Sequence, residues 1–242
     1  MKAIQVNSLT RDYKDLRAVD HLSFEVEPGE IFGFLGPNGA GKTTTIKMLT
    51  GQLRPTEGSA KVAGWDIVEE RDQLKPCIGV VFEYQNIYER LSARDNLMFI
   101  ARLYGVDKKR VDQVLEQVGL TERAKERSKK YSNGMKQRLL IARALLHEPE
   151  VIFLDEPTKG LDPGVARAIR NIVLDLAKND VTIFLTTHYM EEADQLSNRI
   201  AILDQGKIVA LGTPDQLKNQ SGGDGTTLED VFIALTGKDL YR

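Results

Sequence analysis

A glycine-rich stretch that ends in a lysine and two threonines has the most definite chemistry in the sequence. In order, its residues are Gly36, Pro37, Asn38, Gly39, Ala40, Gly41, Lys42, Thr43 and Thr44. A buried-strand pattern (31–35) precedes it and a helix start follows, which is the context in which G-x-x-x-x-G-K-[ST] forms a phosphate-binding loop. The glycines let backbone N–H groups point at phosphate oxygens, and the helix start adds its positive dipole end. We therefore expect nucleotide binding, with Lys42 on the β- and γ-phosphates and the Thr43 hydroxyl on Mg²⁺.

Two acids, Asp155 and Glu156, directly follow the apolar run 151–154. At the carboxyl end of a parallel strand, Asp155 would lie near the phosphate-binding loop, because such sheets bind ligands at that edge. We expect Asp155 to hold Mg²⁺, through water, and Glu156 to act as the general base on the water that attacks the γ-phosphate. Without the glycine-rich loop, two acids capping a turn before Pro157 would be the simpler interpretation.

Composition narrows the classes of partner. The 242 residues carry 33 basic and 35 acidic side chains, so the net charge of −2 predicts neither a nucleic-acid partner nor direct binding to an anionic membrane. Cys77 is the only cysteine, which excludes an intramolecular disulfide. No apolar run is long enough to span a membrane, and the N-terminal residues predict a strand rather than a signal peptide. Work at a membrane would therefore need another subunit.

Hydrophobic periodicity predicts an α/β fold. Alternation over residues 3–9 and 21–26 is typical of half-buried antiparallel strands. Continuous apolar runs predict buried strands at residues 77–82, 151–154, 181–186 and 199–203. Helices between these runs, one of them starting at Pro163 after the candidate N-cap Asp162, indicate a mostly parallel sheet. Helical periodicity over 91–105 and 108–119 predicts a helical insert that continues to about Leu146. A glycine-rich segment, 219–225, predicts a flexible break before a short terminal helix.

Three further segments resemble the motifs of ATP-binding cassette (ABC) proteins. Residues 131–138 (YSNGMKQR) resemble a variant of the LSGGQ signature, and 155–163 (DEPTKGLDP) resemble the Walker B motif and D-loop. Residues 186–193 (TTHYMEEA) resemble the histidine switch. The order and spacing match from about residue 4 to 211, and the terminal segment LEDVFIALTG further resembles the ATPase subunits of ABC-2-type exporters, which handle drugs, antibiotics, polysaccharides or ions.

The resemblance implies a single ABC ATPase domain over residues 1–242 with a P-loop NTPase core. It implies a RecA-like core plus an N-terminal antiparallel β subdomain (approximately 1–82 and 150–218). An α-helical insert subdomain (approximately 86–147) and a short C-terminal tail (219–242) complete the expected organisation.

The resemblance also implies roles for residues outside the glycine-rich loop. Tyr13 would stack on the adenine, although an aromatic residue in a polar turn is more often a loop anchor. His188 would contact the γ-phosphate and position the attacking water. Ser132 and Gly134 would reach the ATP held by a second subunit, while Ser132 alone also fits an ordinary helix N-cap.

Several positions depart from the family pattern. The family usually has glutamine where this chain has Glu83, and that glutamine touches Mg²⁺. Alignment of the motifs favours Glu83 as the Mg²⁺ ligand, but Gln85 points to the same side of an extended chain and stays an alternative. Asn133 and Met135 replace a glycine and a glutamine of the signature, and Lys159 replaces a D-loop serine. We still expect ATPase activity, because the acids and the histidine are present.

The function implied is that of an ATP-binding and ATP-hydrolysing subunit of an ABC transporter, of the ABC-2 exporter type. Its partners would be a second copy of itself or a paralogous ATPase subunit, and a multi-span membrane permease subunit. It would work on the cytoplasmic face of the cell membrane, with residues 83–96 and the helices after them as the docking surface. A soluble ABC ATPase acting on ribosomes or DNA is an alternative, disfavoured because the chain has no second cassette, coiled coil or basic arm. A nucleotide sensor without catalysis is disfavoured by the presence of Glu156 and His188.

Overall fold

The computed structural model describes residues 1–84, 86–222 and 225–237, in which helices surround two β-sheets. The strands are β1 (Ile4–Tyr13), β2 (Leu16–Val26), β3 (Ile31–Leu35), β4 (Glu57–Val62), β5 (Trp65–Asp66), β6 (Ile78–Val81), β7 (Val151–Asp155), β8 (Thr182–Thr187), β9 (Arg199–Asp204) and β10 (Lys207–Gly212). The α-helices are α1 (Lys42–Leu49), α2 (Arg71–Cys77), α3 (Ala93–Tyr104), α4 (Lys108–Gln117), α5 (Asn133–Leu145), α6 (Pro163–Ala177), α7 (Met190–Leu196), α8 (Pro214–Ser221) and α9 (Leu228–Thr236). Within these ranges, no helix combines the length and apolar character needed to cross a bilayer.

The first sheet is antiparallel, with strand order β2-β1-β4-β5. Its central strand β1 pairs with β2 on one side and β4 on the other, so that Ile4 lies opposite both Val26 and Val62. These three side chains are fully buried, as the alternation of apolar and polar residues predicts. Strands β1 and β2 are longer than the predicted segments 3–9 and 21–26, and a two-residue turn connects them. Tyr13 is therefore the last residue of β1 and does not lie in the turn.

The second sheet has the order β10-β9-β3-β8-β7-β6. Strands β6, β7, β8, β3 and β9 run parallel, and β10 returns antiparallel to β9. Every residue of β3, β7 and β8 is buried, because helices or the first sheet cover both faces. The predicted α/β fold with a mostly parallel sheet is confirmed.

A cluster of phenylalanines joins the two sheets. The ring of Phe184 on β8 packs against Phe34, Phe153, Phe32 and Phe24, with centroid separations of 5.1, 5.5, 5.8 and 6.0 Å respectively. Phe24 belongs to the antiparallel sheet, whereas the other four lie on the parallel one. Burial of these rings therefore holds the first sheet over the strands that lead to the candidate site.

Helices α3, α4 and α5 form the helical insert. Ser92 and Asp107 cap α3 and α4 through their side chains, and Gly105 ends α3 in the left-handed conformation. The buried faces of the insert share one hydrophobic core with the parallel sheet, in which Leu97 and Leu140 pack in the same cluster as sheet residues. The insert is thus packed directly on the sheet.

Local structure differs from the sequence prediction in the segments around α1 and α2. The sequence predicts a helix over residues 43–53 after the loop, but α1 ends at Leu49, because Gly51 adopts a left-handed conformation and terminates it. Helix α2 was not predicted, since seven residues containing Pro76 show too little periodicity. It includes Cys77, so β6 begins one residue later than expected. The sequence also predicts a short hairpin strand over residues 59–67, but a turn divides this segment into β4 and β5.

Two helix boundaries in the second half of the chain also differ from expectation. Asp162 occupies the N-cap position of α6, but its carboxylate accepts no capping hydrogen bond, and nothing in the structure explains this. The predicted flexible break at 219–225 is helical as far as Ser221, because the Thr213–Gln216 capping box starts α8 five residues before the break. Residues 223 and 224 lie outside the described part of the chain.

The last helix, α9, packs against the parallel sheet. Its residues Leu228, Val231 and Phe232 are buried in one cluster with Leu35 and Ile200. Leu35 is the last residue of β3 and immediately precedes the glycine-rich loop. Helix α9 therefore supports the strand from which that loop begins.

The phenylalanine cluster gives a stability prediction. We expect Phe184→Ala to lower the free energy of unfolding by about 3–5 kcal/mol, because it removes a fully buried ring and leaves a cavity among the other rings. Urea denaturation followed by circular dichroism measures the change. As a control, Phe99→Ala removes an exposed ring and should cost less than about 1 kcal/mol. Equal losses in the two variants would contradict the role of the cluster.

Candidate nucleotide-binding site

The glycine-rich loop connects β3 to α1 at the carboxyl edge of the parallel sheet. Gly39 and Gly41 have positive φ values of 83° and 103°, in the region that favours glycine. A Cβ atom on Gly41 would lie 2.5 Å from the carbonyl oxygen of Ala18, so β2 also requires glycine here. Gly41 provides no capping side chain, which leaves the first N–H groups of α1 available to an anion.

A cleft of about 270 Å³ opens along this loop. Its lining residues are Tyr13, Leu16, Ala18, Pro37, Asn38, Gly39, Gly41, Lys42, Thr43, Thr44, Glu83 and Glu156. The antiparallel sheet therefore supplies one wall, the loop supplies the floor and two acids lie at the far side. Most of the residues that the sequence predicts for nucleotide binding and chemistry thus meet in one place.

Lys42 is buried at the base of the loop. Its ammonium group donates hydrogen bonds to the carbonyl oxygens of Gly36 (2.6 Å) and Pro37 (3.2 Å). It also forms an ion pair with Glu156, with 3.1 Å between Nζ and Oε1, but without hydrogen-bond alignment. The Glu156 carboxylate thus contacts the ammonium group from a position that phosphate oxygens could occupy instead.

Asp155 connects the loop to the neighbouring strand. Its Oδ2 accepts a hydrogen bond from the Thr43 hydroxyl (2.8 Å), and its Oδ1 accepts one from Thr186 (2.6 Å). Burial raises the pKa of Asp155, and the two hydroxyl hydrogen bonds oppose that rise. Thr43 and Asp155 thus present two hard oxygen donors side by side, the donor type that Mg²⁺ prefers. The described residues contain no cluster of three or more His, Cys, Asp or Glu side chains suited to a metal.

Glu156 and His188 form a second contact at the same edge. Glu156 Oε2 lies 2.7 Å from His188 Nδ1 and 3.3 Å from the His188 backbone nitrogen. The backbone of Glu156 has a φ of 53°, which is uncommon for residues other than glycine and turns its carboxylate towards the histidine and Lys42. An ionised Glu156 accepts the bond from Nδ1–H, which leaves His188 Nε2 for another partner.

Glu83 lines the cleft, but its carboxylate also contacts a cation from elsewhere in the chain. Its Oε1 lies 2.7 Å from Nζ of Lys159, and each side chain is about one third exposed. Mg²⁺ would therefore have to compete with Lys159 for the Glu83 carboxylate, which the sequence predicts as a Mg²⁺ ligand. Gln85, the alternative ligand, lies outside the described residues.

Tyr13 lies at the opening of the cleft. Its side chain is 40% exposed, and the guanidinium carbon of Arg11 lies 4.7 Å from the centre of its ring. A half-exposed ring beside the glycine-rich loop is in a position to stack on a planar base.

Ser132 and Gly134 lie at the start of α5 and do not line the cleft of their own chain. The Ser132 hydroxyl accepts a hydrogen bond from the backbone nitrogen of Met135 (3.3 Å), which is the predicted N-cap. A Cβ atom on Gly134 would lie 2.2 Å from Val165 on α6, so helix packing requires glycine at this position. One chain therefore does not bring the signature-like segment to its own phosphate-binding loop.

Sequence reasoning did not assign roles to Thr158, Thr186 and Glu192. Thr186 also accepts a hydrogen bond from the Glu156 backbone nitrogen (3.2 Å), so its hydroxyl contacts both acids. Thr158 donates to the buried Glu192 (2.6 Å), and burial raises the pKa of Glu192. Polar residues inside the apolar strand pattern, such as those at the end of β8, are the signal that could have revealed Thr186.

We expect Thr186→Val to lower the free energy of unfolding by about 1–3 kcal/mol, because a side chain of similar shape removes the donor to buried Asp155. Equilibrium urea denaturation measures this loss. Thr186→Ser keeps the hydroxyl and should recover most of the stability. A Val variant as stable as the wild type would show that the hydrogen bond is dispensable.

Comparison with known proteins agrees with this geometry. The family model described as ABC transporter matches residues 19–159, which include the loop, Ser132 and both acids. The chain is 43% identical to the linearmycin resistance ATP-binding protein LnrL of Bacillus subtilis, over 91% of this chain and 72% of that protein. It is also 43% identical to the bacitracin transport ATP-binding protein BcrA of Bacillus licheniformis, over 90% of this chain and 72% of that protein.

Solved structures show the same fold. An ATP-binding subunit of an ABC transporter superposes with a TM-score of 0.87 at 29% identity and covers 97% of this chain and 99% of its own. The dimeric ATP-binding cassette MJ0796, bound to ADP and Pi, superposes with a TM-score of 0.78 at 25% identity, over 87% of this chain and 98% of its own. The P-loop NTPase fold predicted from the sequence is confirmed. With these relatives and this cleft, the chain belongs to the ABC transporter family as an ATP-binding, ATP-hydrolysing subunit.

Proposed function

We propose that this chain hydrolyses Mg²⁺-bound ATP as one of two paired ATPase subunits that drive a separate membrane permease of the ABC-2 exporter type. The observation that supports it is the division of the site. The loop and Glu156 line one cleft, and Asp155 and His188 contact its lining residues Thr43 and Glu156, whereas the capped start of α5 with Ser132 does not line it. A second subunit is needed to complete the site.

The substrate ATP would bind with its phosphates on the loop N–H groups and its adenine against Tyr13. Phosphate oxygens would replace the carbonyl oxygens of Gly36 and Pro37 as acceptors for Lys42. Thr43 and Asp155 would hold the Mg²⁺, which neutralises charge on the β- and γ-phosphates. Their side-chain oxygens already lie 2.8 Å apart at the edge of the loop.

Hydrolysis would depend on release of Glu156 from Lys42. Once phosphates bind the ammonium group, the Glu156 carboxylate can accept a proton from water as that water attacks the γ-phosphorus and the bond to ADP breaks. His188 would remain hydrogen-bonded to Glu156 through Nδ1, and its Nε2 would contact the γ-phosphate. The ion pair thus keeps the base occupied until substrate binds.

Pairing would place the start of α5 from one subunit on the ATP held by the other. The Ser132 hydroxyl caps this helix start, and the helix dipole favours an anion there. We propose that the partner is a second copy of this chain or a paralogue, with Ser132 and Gly134 contacting the bound triphosphate.

Docking to the permease would hold the chain at the cytoplasmic face of the cell membrane. The segment after β6 and the helical insert expose Tyr84, Tyr88 and Phe99, and Tyr84 is 85% exposed. Aromatic side chains of this kind are enriched in protein interfaces. The names of the relatives refer to resistance to linearmycin and transport of bacitracin, which favours export of an antibiotic or drug-like compound.

We also propose the subdomain division suggested by the motifs. The core and antiparallel sheet would comprise approximately residues 1–82 and 150–218, and the helical subdomain residues 86–147. The junction between them would transmit the closure of the paired subunits to the permease. Residues 219–242 would form the C-terminal tail, of which α9 packs on the sheet.

We expect Glu156→Gln to reduce ATP hydrolysis by about 100-fold or more, because the general base is lost while the phosphate-binding loop is intact. With ATP and Mg²⁺, this variant should accumulate as a dimer in size-exclusion chromatography with light scattering. Glu191→Gln, which changes an exposed glutamate on α7, is the matched control and should keep both turnover and the monomer. A Glu156→Gln variant that stays unpaired with ATP and Mg²⁺, even with the permease present, would refute the proposal.

Ser132 allows a test of the contact across the subunit interface. In the Glu156→Gln background we expect Ser132→Asp to weaken ATP-dependent pairing about tenfold or more, because the carboxylate still caps α5 but repels the partner's phosphates. Ser132→Asn is a neutral cap and should preserve pairing. Fluorescent-nucleotide titration of the monomer should give equal affinity for both variants. Equal pairing of the Asp and Asn variants would show that Ser132 lies away from the triphosphate.

A further inference from the structure

The two charged departures from the family pattern, Glu83 and Lys159, form an ion pair with each other. Their carboxylate and ammonium groups are 2.7 Å apart, although 76 positions separate them in the chain. Each occupies a position where the family pattern has an uncharged residue. Their contact indicates that these two departures compensate each other electrostatically.

The pair connects two segments with different tasks. Glu83 follows β6, lines the nucleotide cleft and precedes the helical insert. Lys159 lies in the turn after β7, where its backbone nitrogen donates to the carbonyl oxygen of Glu156 at 3.2 Å. The ion pair therefore joins the segment that leads to the insert with the turn that carries the candidate base.

The charges around the cleft explain why Glu83 needs a partner. Glu156 lines the same cleft, Asp155 contacts the lining residue Thr43, and the ammonium of Lys42 already contacts Glu156. A bound triphosphate would add more negative charge, so an unpaired Glu83 carboxylate would repel it.

We propose that Lys159 is a positioning residue that neutralises Glu83 and fixes its orientation, and that Lys159 and Mg²⁺ are alternative partners of the Glu83 carboxylate. In the absence of the metal, the ion pair removes the repulsion between Glu83 and the phosphates. With the metal bound, Glu83 exchanges the ammonium for Mg²⁺ and Lys159 is released. This inference rests on the proposed nucleotide site but adds a role for Lys159, which stands where the family pattern has a serine.

The test is a double-mutant cycle on the full chain with Glu83→Gln, Lys159→Ser and the double variant. A fluorescent ATP analogue, MANT-ATP, is titrated once with EDTA and once with excess Mg²⁺. In EDTA we expect Lys159→Ser to weaken binding about threefold when Glu83 is present, a modest effect because the pair is one third exposed. In the Glu83→Gln background, the same substitution should change binding by less than about 1.5-fold.

The metal provides the second readout. With excess Mg²⁺, the weakening by Lys159→Ser should disappear or reverse, because the unpaired Glu83 carboxylate gains a cation as its partner. Lys159→Arg keeps a cation and should behave as the wild type. A Lys159→Ser effect that is equal in both backgrounds, or equal with and without Mg²⁺, would overturn the proposal.

A matched control is the ion pair of Lys218 and Asp194, which has a similar distance of 2.8 Å and does not line the cleft. Lys218→Ser should leave MANT-ATP binding unchanged in both conditions, and a threefold change would show that the Lys159 effect is nonspecific. Wild-type protein that fails to bind MANT-ATP with Mg²⁺ would refute the proposed function instead. The ion pair would then be tested by thermal unfolding of the wild type, Glu83→Gln, Lys159→Ser and the double variant. Additive shifts in Tm would exclude coupling between Glu83 and Lys159.

Discussion

The hydrogen bonds of Asp155 with Thr43 and Thr186 are the interaction on which the site depends. They join the start of α1 to the ends of β7 and β8, three elements that are far apart in the chain. Parallel pairing places Asp155 opposite Thr186, so the carboxyl ends of these strands reach the same edge as the loop after β3. The phenylalanine cluster below keeps these strands aligned with the antiparallel sheet, which contributes the wall containing Tyr13.

Charge pairing is the second constraint on the site, because several carboxylates lie beside the loop that binds phosphates. In this structure Lys42 contacts Glu156, and Lys159 contacts Glu83. The Lys42–Glu156 pair is buried, and a buried ion pair is weak evidence for stability. We expect phosphate oxygens to replace Glu156 as the partner of Lys42 when ATP binds. The left-handed backbone of Glu156 fits this view, since strained conformations concentrate at functional sites where neighbouring contacts enforce them.

The proposed need for a second subunit follows from helix packing. Gly134 brings α5 close to Val165 on α6, and Ser132 caps the same helix, so the α5 start is fixed by its own subunit. This helix start does not line the cleft of its own chain. A rigid helix start of this kind suits a site assembled between subunits, and the dimeric ATP-binding cassette among the structural neighbours has the same fold.

The sequence by itself determined the loop, the acids after β7, the N-cap of α5 and the α/β class, because each depends on residues close together in the chain. It did not determine what the charged side chains contact. The Glu83–Lys159 and Lys42–Glu156 pairs and the hydroxyl of Thr186 join segments whose proximity arises only from strand order. The short helix α2 and the early end of α1 also escaped prediction, since packing and one left-handed glycine outweighed local periodicity. Local patterns therefore predicted the chemistry, and the tertiary structure decided which charged groups pair with each other.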